Sequence, residues 1–268
     1  MNRNLLLFTL RRSLTGTVLT GAALMVFEFL LVLFYTEARP DQNLEHLVDL
    51  IPPAFRTFLG AEYLGLFSVR GFLAFGFVHP VVLLLLGASA VALGSRCVAG
   101  GIGDHTVDLL LAQPLRRHEI LFSQVGVGLF PALVLPLGMW AGQQLGVAAW
   151  SLPGEVSAAP FLLAAVNAAA LYLALLGIAV VCSAVTSRRG HAVSCAVGVL
   201  ASALFLRLAA QIWHAFELPG KLSPFTYYIP SKVVLEERLP AGDVTALLVT
   251  LLALLGASTL AFAHRDIR

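Results

Sequence analysis

The chain has 268 residues, of which 59% are hydrophobic and only 12% are charged, and its mean hydropathy is +0.88. Soluble domains carry roughly 25% charged residues, so this composition excludes a soluble globular fold. The formal net charge of +2 is too small to indicate a nucleic-acid-binding protein. The partner that the composition requires is therefore a lipid bilayer, and no nucleic-acid partner is expected.

Six apolar runs follow one another along the chain, and runs of about 20 apolar residues are typical of membrane-spanning helices. The pattern predicts an all-α membrane protein in which residues 1–268 form a single transmembrane domain. The predicted spans are about 15–35, 72–94, 124–148, 160–184, 191–213 and 243–263.

Short segments outside the spans carry helical patterns of their own. Residues 2–12, "NRNLLLFTLRR", form an amphipathic run that is expected to lie in the membrane interface before the first span. In the external loop 36–70, apolar residues from Leu44 to Ile51 recur at helical spacing and predict a surface helix that ends at Pro52. The external segment 217–240 is rich in proline and aromatic residues, so we expect short broken helices that dip back toward the membrane.

The third span has the most irregular sequence of the six. Pro131 and Pro136 are expected to bend it. Gly138, Gly142 and Gly146 repeat every four residues, which creates a face of small residues that a second helix can approach closely. That second helix belongs either to the same chain or to a second copy in a dimer.

Positive residues predict the orientation of the chain, because Lys and Arg are enriched in cytosolic loops. Six of these residues lie on one side of the predicted spans, in longer loops that also carry acidic residues. Both termini and the loop between spans two and three are therefore predicted to be cytosolic. The ten positive residues on that side are Arg3, Arg11, Arg12, Arg96, Arg116, Arg117, Arg188, Arg189, Arg265 and Arg268.

Several kinds of chemistry are excluded by the sequence. The chain contains only Lys221 and Lys232, and neither lies in the G-x-x-x-x-G-K-[ST] pattern that binds nucleotide phosphates. "HEILF" at 118–122 begins like the zinc motif H-E-x-x-H, but Phe122 stands where the second histidine is needed. We therefore predict no ATP site, no metal site and no catalytic residue in this chain.

Polar residues inside the spans are candidate pathway residues, because a charge at membrane depth is costly. At about 1.5 Å of rise per residue, Glu28 in span one and Arg207 in span five reach a similar depth in the outer part of the bilayer, with His79 near that level. Glu28 and Arg207 either form an ion pair at the outer end of a pathway or extend separately to the headgroups. Asn167 in span four either bonds to a neighbouring helix or contacts substrate.

The cytosolic segment 99–124, "AGGIGDHTVDLLLAQPLRRHEILFSQ", resembles the signature loop of ABC-2 type transporter permeases. Gly101 and His105 depart from the family pattern, which usually has Glu and Gly at these positions. The external "LSPFTYY" at 222–228, the ending "FAHRDI" at 262–267 and the run 2–12 are also similar to family features. The positions of the loop that match are Thr106, Asp108, Leu110, Leu111, Ala112, Gln113, Pro114, Arg117 and Ile120.

The resemblance implies a fold like that of the ABC-2, or type V, exporters. In such proteins an N-terminal elbow helix precedes six spans, and a cytosolic coupling helix in the loop between spans two and three, here 97–118, docks on a separate ATP-binding subunit. By this resemblance the chain binds no cofactor itself, and ATP and Mg lie on the partner. The residues implied in coupling are Thr106, Asp108, Leu109, Leu110, Leu111, Ala112, Pro114, Arg116 and Arg117.

The resemblance also implies partners and a function. Two copies of the ATP-binding subunit and a second permease chain, in a homodimer or a heterodimer, would complete an ATP-driven exporter in the bacterial cytoplasmic membrane, with an external partner on the far side. The chain itself would not be an enzyme. Two alternatives stay open, namely an ATP-independent channel or secondary transporter, and a scaffold or sensor subunit whose external loops bind a partner.

Overall fold

A computed structural model of the chain describes residues 3–38, 68–100, 125–150, 152 and 156–263, and these are almost entirely helical. Six helical stretches in this part of the chain are long and apolar enough to cross a membrane. The prediction of a multi-pass, all-α membrane protein is thus confirmed. The predicted surface helix at 44–51, residues 101–118 of the predicted coupling loop 97–118 and the last residues, 264–268, lie outside the described residues.

The spans agree with the predicted ones to within a few residues, except that the first two extend further. Span one lies in α1 (Arg3–Ala38) and span two consists of α2 (Val69–Val78), α3 (Pro80–Gly94) and a π-helix (Arg96–Gly100). The remaining spans are α4 (Leu129–Ala149), α5 (Ala158–Val185), α6 (Arg189–Ile212) and α9 (Ala241–Ala263).

The first helix is longer than a single span requires. It continues without a break from Arg3 to Ala38, and its sequence contains no proline that would end it. The amphipathic run at 2–12, expected as a separate interfacial element, therefore shares one helix with span one.

Span two is broken in its N-terminal half, and this break was not predicted from the sequence. His79 takes an extended backbone conformation (φ −56°, ψ 137°) because the following residue, Pro80, disfavours the helical region for its predecessor. Pro80 also lacks the N–H that would continue the helical ladder. The chain resumes as α3 with Pro80 at its first turn, where the missing N–H costs nothing.

The segment after span five forms short broken helices, as predicted. A 3₁₀ turn (His214–Phe216), α7 (Glu217–Gly220), a second 3₁₀ turn (Pro224–Tyr227) and α8 (Pro230–Glu236) follow one another. The last of these, α8, packs against α2 and α5. Glu237 ends α8 in the left-handed conformation (φ 51°) and forms a 2.6 Å ion pair with Arg70 at the start of α2.

Span four, α5, is at the centre of the bundle. Among the described spans it is the most enclosed, with 78% of its apolar window buried against 44% or less in each of the others. It packs on α3, α4, α6, α8 and α9. Its many alanines permit these close contacts, and a methyl group added at Gly94 of α3 would lie only 2.5 Å from the Ala179 side chain.

The glycine face of span three packs inside the chain, against α1. A methyl group at Gly138 would lie 2.8 Å from the main-chain oxygen of Gly21, and one at Gly142 would collide with the main-chain oxygen of Met25. The repeat therefore serves helix packing within one chain, which was one of its two interpretations. Pro136, which was expected to bend this span, does not break the helix, and α4 continues through it.

Candidate functional site

A group of polar side chains surrounds α2, the short N-terminal part of span two. Glu28 approaches it from α1, Gln143 from α4 and Tyr228 from the segment before α8. All three side chains are fully buried. Together with α2 they form the polar cluster that we treat as the candidate functional site.

Glu28 lies against the main chain of α2. Its carboxyl group packs on Gly76, where a methyl group would collide with Oε2 and lie 3.1 Å from the carboxyl carbon. Within the part of the chain that the structure describes, neither carboxyl oxygen has a hydrogen-bond partner. Gly76 thus makes room for an acidic side chain that is sealed from solvent and bonded to nothing.

The two other side chains of the cluster bind main-chain oxygens of α2. The Tyr228 hydroxyl donates a 2.8 Å hydrogen bond to the Phe77 carbonyl oxygen. The break at Pro80 leaves this carbonyl without its helical partner, because the N–H of Val81 turns instead to Nδ1 of His79, 3.3 Å away. The tyrosine therefore satisfies an acceptor that the broken helix cannot satisfy.

Gln143 binds the same helix one turn earlier. Its Nε2 donates a 3.1 Å hydrogen bond to the Leu73 carbonyl oxygen. Its Oε1 is buried and has no hydrogen-bond partner among the described residues. Side-chain amides commonly join helices within membranes in this way.

His79 caps a helix and does not point its ring into a polar site. Its Nδ1 accepts the hydrogen bond from Val81, so the ring proton lies on Nε2. The ring is enclosed by two aromatic neighbours, with centroid distances of 4.9 Å to Phe27 and 5.5 Å to Phe75. His79 thus packs on Phe27, the residue before Glu28 in α1, and it caps the start of α3.

The sequence left open whether Glu28 and Arg207 form an ion pair, and no hydrogen bond joins them in the described residues, since neither Glu28 oxygen has a hydrogen-bond partner there. Glu28 does not extend to the surface either, because none of its side chain is exposed. Arg207 is half-buried on α6. The carboxyl group of Glu28 packs on Gly76 of α2.

Tyr228 lies close enough to both Glu28 and Arg207 to interact with them electrostatically. Burial raises the pKa of Tyr228 well above its usual value, the carboxyl group of Glu28 raises it further and the guanidinium of Arg207 lowers it. The phenol is therefore a neutral hydrogen-bond donor at physiological pH. Tyr228 is thus near both of the residues that the sequence placed at one depth.

Asn167 contributes to the same region from α5. It is fully buried, and its Nδ2 donates a 3.4 Å hydrogen bond to the Tyr227 carbonyl oxygen. Its Oδ1 has no partner among the residues described. Of the two interpretations of Asn167, the structure favours a bond to a neighbouring segment of the chain.

The C-terminal end of span two is attached to α5 by one side chain. The Ser183 hydroxyl accepts hydrogen bonds from the N–H groups of Val98 (3.1 Å) and Ala99 (3.0 Å), and it donates one to the Ser95 carbonyl oxygen (3.1 Å). These bonds hold the π-helix, and insertions of this kind are frequent at functional sites. The segment that begins at residue 101 therefore follows directly on a fixed point.

A separate cavity of about 520 Å³ lies between α5, α6 and α9. Ser202 and Thr250 line it, but both hydroxyls are bonded to carbonyl oxygens of their own helices. The remaining lining is mostly aliphatic. Ser194, Cys195 and Ser223 also line the cavity, and Ser223 Oγ has no hydrogen-bond partner among the described residues.

Gly76, Tyr228 and Ser183 were not singled out from the sequence. Pro80 was the one available signal, because a proline within a span frees carbonyl oxygens that need distant partners. Nothing in the sequence shows which hydroxyl supplies the hydrogen bond. Within residues 3–38, 68–100, 125–150 and 156–263, no three His, Cys, Asp or Glu side chains come together as metal ligands.

The chain matches no protein-family model, no curated protein and no solved structure.

Proposed function

We propose that this chain is the membrane-spanning subunit of an ATP-driven transporter, most simply an exporter. Two copies of the chain, or this chain with a similar one, would form the transport pathway in a bacterial cytoplasmic membrane with both termini in the cytosol. Two separate subunits would bind ATP and Mg. The chain itself would carry no catalytic residue.

The observation that carries the proposal is the resemblance of residues 99–124 to the signature loop of ABC-2 type permeases. Nine positions from Thr106 to Ile120 follow the family pattern, as set out above. A six-span protein without a nucleotide-binding motif needs an external energy source if it transports against a gradient. An ATP-binding partner docked on this loop would supply that energy.

The hydrogen bonds at the C-terminal end of span two support the proposal. The bonds from Ser183 fix the π-helix to α5, the central helix of the bundle. A segment docked on a moving partner could then shift span two and α5 as one body. Such rigid-body shifts are a common way to pass a change at one site to another.

Glu28, His79, Arg207 and Asn167 were candidates for the pathway. Glu28 and Asn167 are fully buried, so neither lines an open passage in this conformation. The proposal therefore assigns the described conformation to a closed state. Substrate would enter only after the helices around α2 have moved.

Co-purification tests the partner directly. The chain is extracted from its native membrane in mild detergent and the proteins that accompany it are identified by mass spectrometry. We expect a P-loop ATPase in equal amount, and we expect Leu110→Asp to abolish its binding because a carboxylate would replace apolar contact surface. Loss of ATPase binding in Arg117→Glu would support the same docking site.

Leu218→Asp is the matched control, since it makes the same change at a leucine that is 75% exposed on the external segment. This variant should keep the ATPase. If wild-type protein brings no nucleotide-binding partner, the proposal is wrong, and ATP-independent transport or a scaffold role takes its place. ATPase activity that responds to a transported compound would then separate transport from scaffolding.

A further inference from the structure

We propose that Glu28 is a proton-binding site inside the membrane, and that it holds a proton in the described conformation. The ligand is the proton itself, and the site consists of the Glu28 carboxyl group against the end of α2. The proposal rests on local geometry alone. It holds whether or not an ATP-binding subunit associates with the chain.

The first argument is the isolation of the carboxyl group. Glu28 has no exposed surface, and neither oxygen has a hydrogen-bond partner among the residues that the structure describes. A charge taken out of water without a partner costs at least several kcal/mol. A buried acid in this situation takes up a proton rather than stay ionised.

The second argument is that the two donor side chains described beside α2 in this cluster are both directed to main-chain oxygens of that helix. The Tyr228 hydroxyl donates to the Phe77 carbonyl, and the amide of Gln143 donates to the Leu73 carbonyl. Gln143 Oε1 is a further buried acceptor without a partner in the described part of the chain. Neither of these two bonds reaches Glu28, and a bound proton supplies its carboxyl group with a donor.

The third argument is the direction of α2. Gly76, which contacts Glu28, lies in the last turn of this helix, which ends at Val78. The C-terminal end of a helix carries a partial negative charge, which opposes a carboxylate and favours a bound cation. In membrane transporters the C-terminal ends of broken helices bind Na⁺ or protons for this reason.

On the side of Gly76, the packing leaves no room for a metal ion beside the carboxyl group. Oε2 of Glu28 packs so closely on Gly76 that a single methyl group would collide with it. A metal ion with its oxygen ligands needs more space than a methyl group. A proton needs no additional volume, so it fits the site as it stands.

The other titratable groups near Glu28 do not replace the proton. His79 accepts a hydrogen bond at Nδ1 and packs its ring on Phe27 and Phe75. Tyr228 is neutral and its hydroxyl is already used. Arg207 acts on Tyr228 through its charge but forms no hydrogen bond to Glu28.

Infrared difference spectroscopy of the purified protein at neutral pH tests the proposal. The spectrum of Glu28→Gln is subtracted from that of the wild type, because glutamine has the shape of the protonated acid. We expect the variant to lose the C=O stretching band of a protonated carboxylic acid. Loss of a carboxylate band instead would overturn the proposal.

Glu237→Gln is the matched control, because Glu237 is exposed and paired with Arg70. Its difference spectrum should show the loss of a carboxylate band only. If Glu28→Gln does not fold, Glu28→Met, which is of similar volume and uncharged, provides the same subtraction. An unchanged acid band in that variant would also contradict the proposal.

Discussion

The Ser183 hydroxyl on α5 accepts a hydrogen bond of 3.1 Å from the main-chain N–H of Val98, and this bond spans 85 positions of the sequence. With the bonds to Ala99 and Ser95, it attaches the π-helix at the C-terminal end of span two to the centre of the bundle. A single hydroxyl thus satisfies two buried main-chain N–H groups and also bonds to the Ser95 carbonyl oxygen, which accepts from the Gly100 N–H as well. The first prediction concerns its removal.

Ser183→Ala should destabilise the protein by about 2–3 kcal/mol, because buried N–H groups lose their acceptor and each costs about 1–3 kcal/mol when unsatisfied. Thermal unfolding in detergent measures the loss. Hydrogen exchange should become faster at Val98 and Ala99, while distant amides are unchanged. Ser202→Ala is the control, since the exposed Ser202 hydroxyl bonds only to Gly198 of its own helix, and it should stay within about 0.5 kcal/mol of wild type. Equal effects of the two changes would contradict the role of Ser183.

The hydrogen bond between Tyr228 and Phe77 of α2 should contribute a similar amount to the free energy of unfolding. Tyr228→Phe leaves the Phe77 carbonyl buried without a donor, so we expect a loss of about 1–3 kcal/mol and a lower Tm. Tyr227→Phe removes a neighbouring hydroxyl that donates to the Lys221 carbonyl at an exposed position. That change should cost less than about 1 kcal/mol. A larger effect at Tyr227 than at Tyr228 would rule out the proposed function of the buried bond.

The stabilising effect of Tyr228 should depend on pH in a defined direction. Burial raises the pKa of this phenol in the folded protein above that in the unfolded chain, which is about 10. The folded state then holds the proton more tightly, so the contribution is complete below about pH 10 and declines as the pH rises further. The Tm difference between wild type and Tyr228→Phe should therefore be constant from pH 7 to 9 and narrow above about pH 10. A difference that widens at alkaline pH would have the wrong sign.

The close packing of α1 and α4 predicts opposite results for two glycine substitutions. Gly142→Ala would bring a methyl group against the Met25 main-chain oxygen, which cannot move aside without shifting α1. We expect a loss of about 1–3 kcal/mol from overpacking. Gly16→Ala, at a helical position with open space around it, should be neutral or gain up to about 1 kcal/mol from helix propensity. Thermal unfolding of both variants checks the pair, and a neutral Gly142→Ala would show that the helices are less closely packed than described.

The number and length of the spans could be predicted from the sequence, because the bilayer requires about 20 apolar residues and six such runs are present. The break in span two could not be predicted from Pro80 alone. Pro136 also lies inside a span, and yet α4 continues through it. At Pro80 the helix breaks where the freed Phe77 carbonyl meets a hydroxyl from a distant part of the chain. That hydroxyl is a tertiary partner, which local sequence does not specify.

At the candidate site, the sequence likewise predicted the depth of Glu28 in the membrane but not the direction of its side chain. Helical rise placed Glu28 at the depth of Arg207, and the ion pair was then a reasonable expectation. Which neighbour a side chain meets depends on the rotation of its helix, and this is set by packing. Here the glycines of α4 determine how closely α1 packs, and Gly76 accepts the carboxyl group. Sequence depth therefore identified Glu28 as a residue of interest but did not identify its surroundings.

Because the chain is synthesised from its N-terminus, the broken helix α2 is made before the residue that donates to its last carbonyl oxygen. Tyr228 follows Phe77 by 151 residues, which corresponds to about 8–30 s at typical translation rates of 5–20 residues per second. During that interval α2 has left the ribosome, but the donor for its last carbonyl has not yet been made. Water or the insertion machinery must occupy that position meanwhile. The N-terminal part of span two is therefore among the last parts of the protein to reach its final conformation, although it is among the first to be translated.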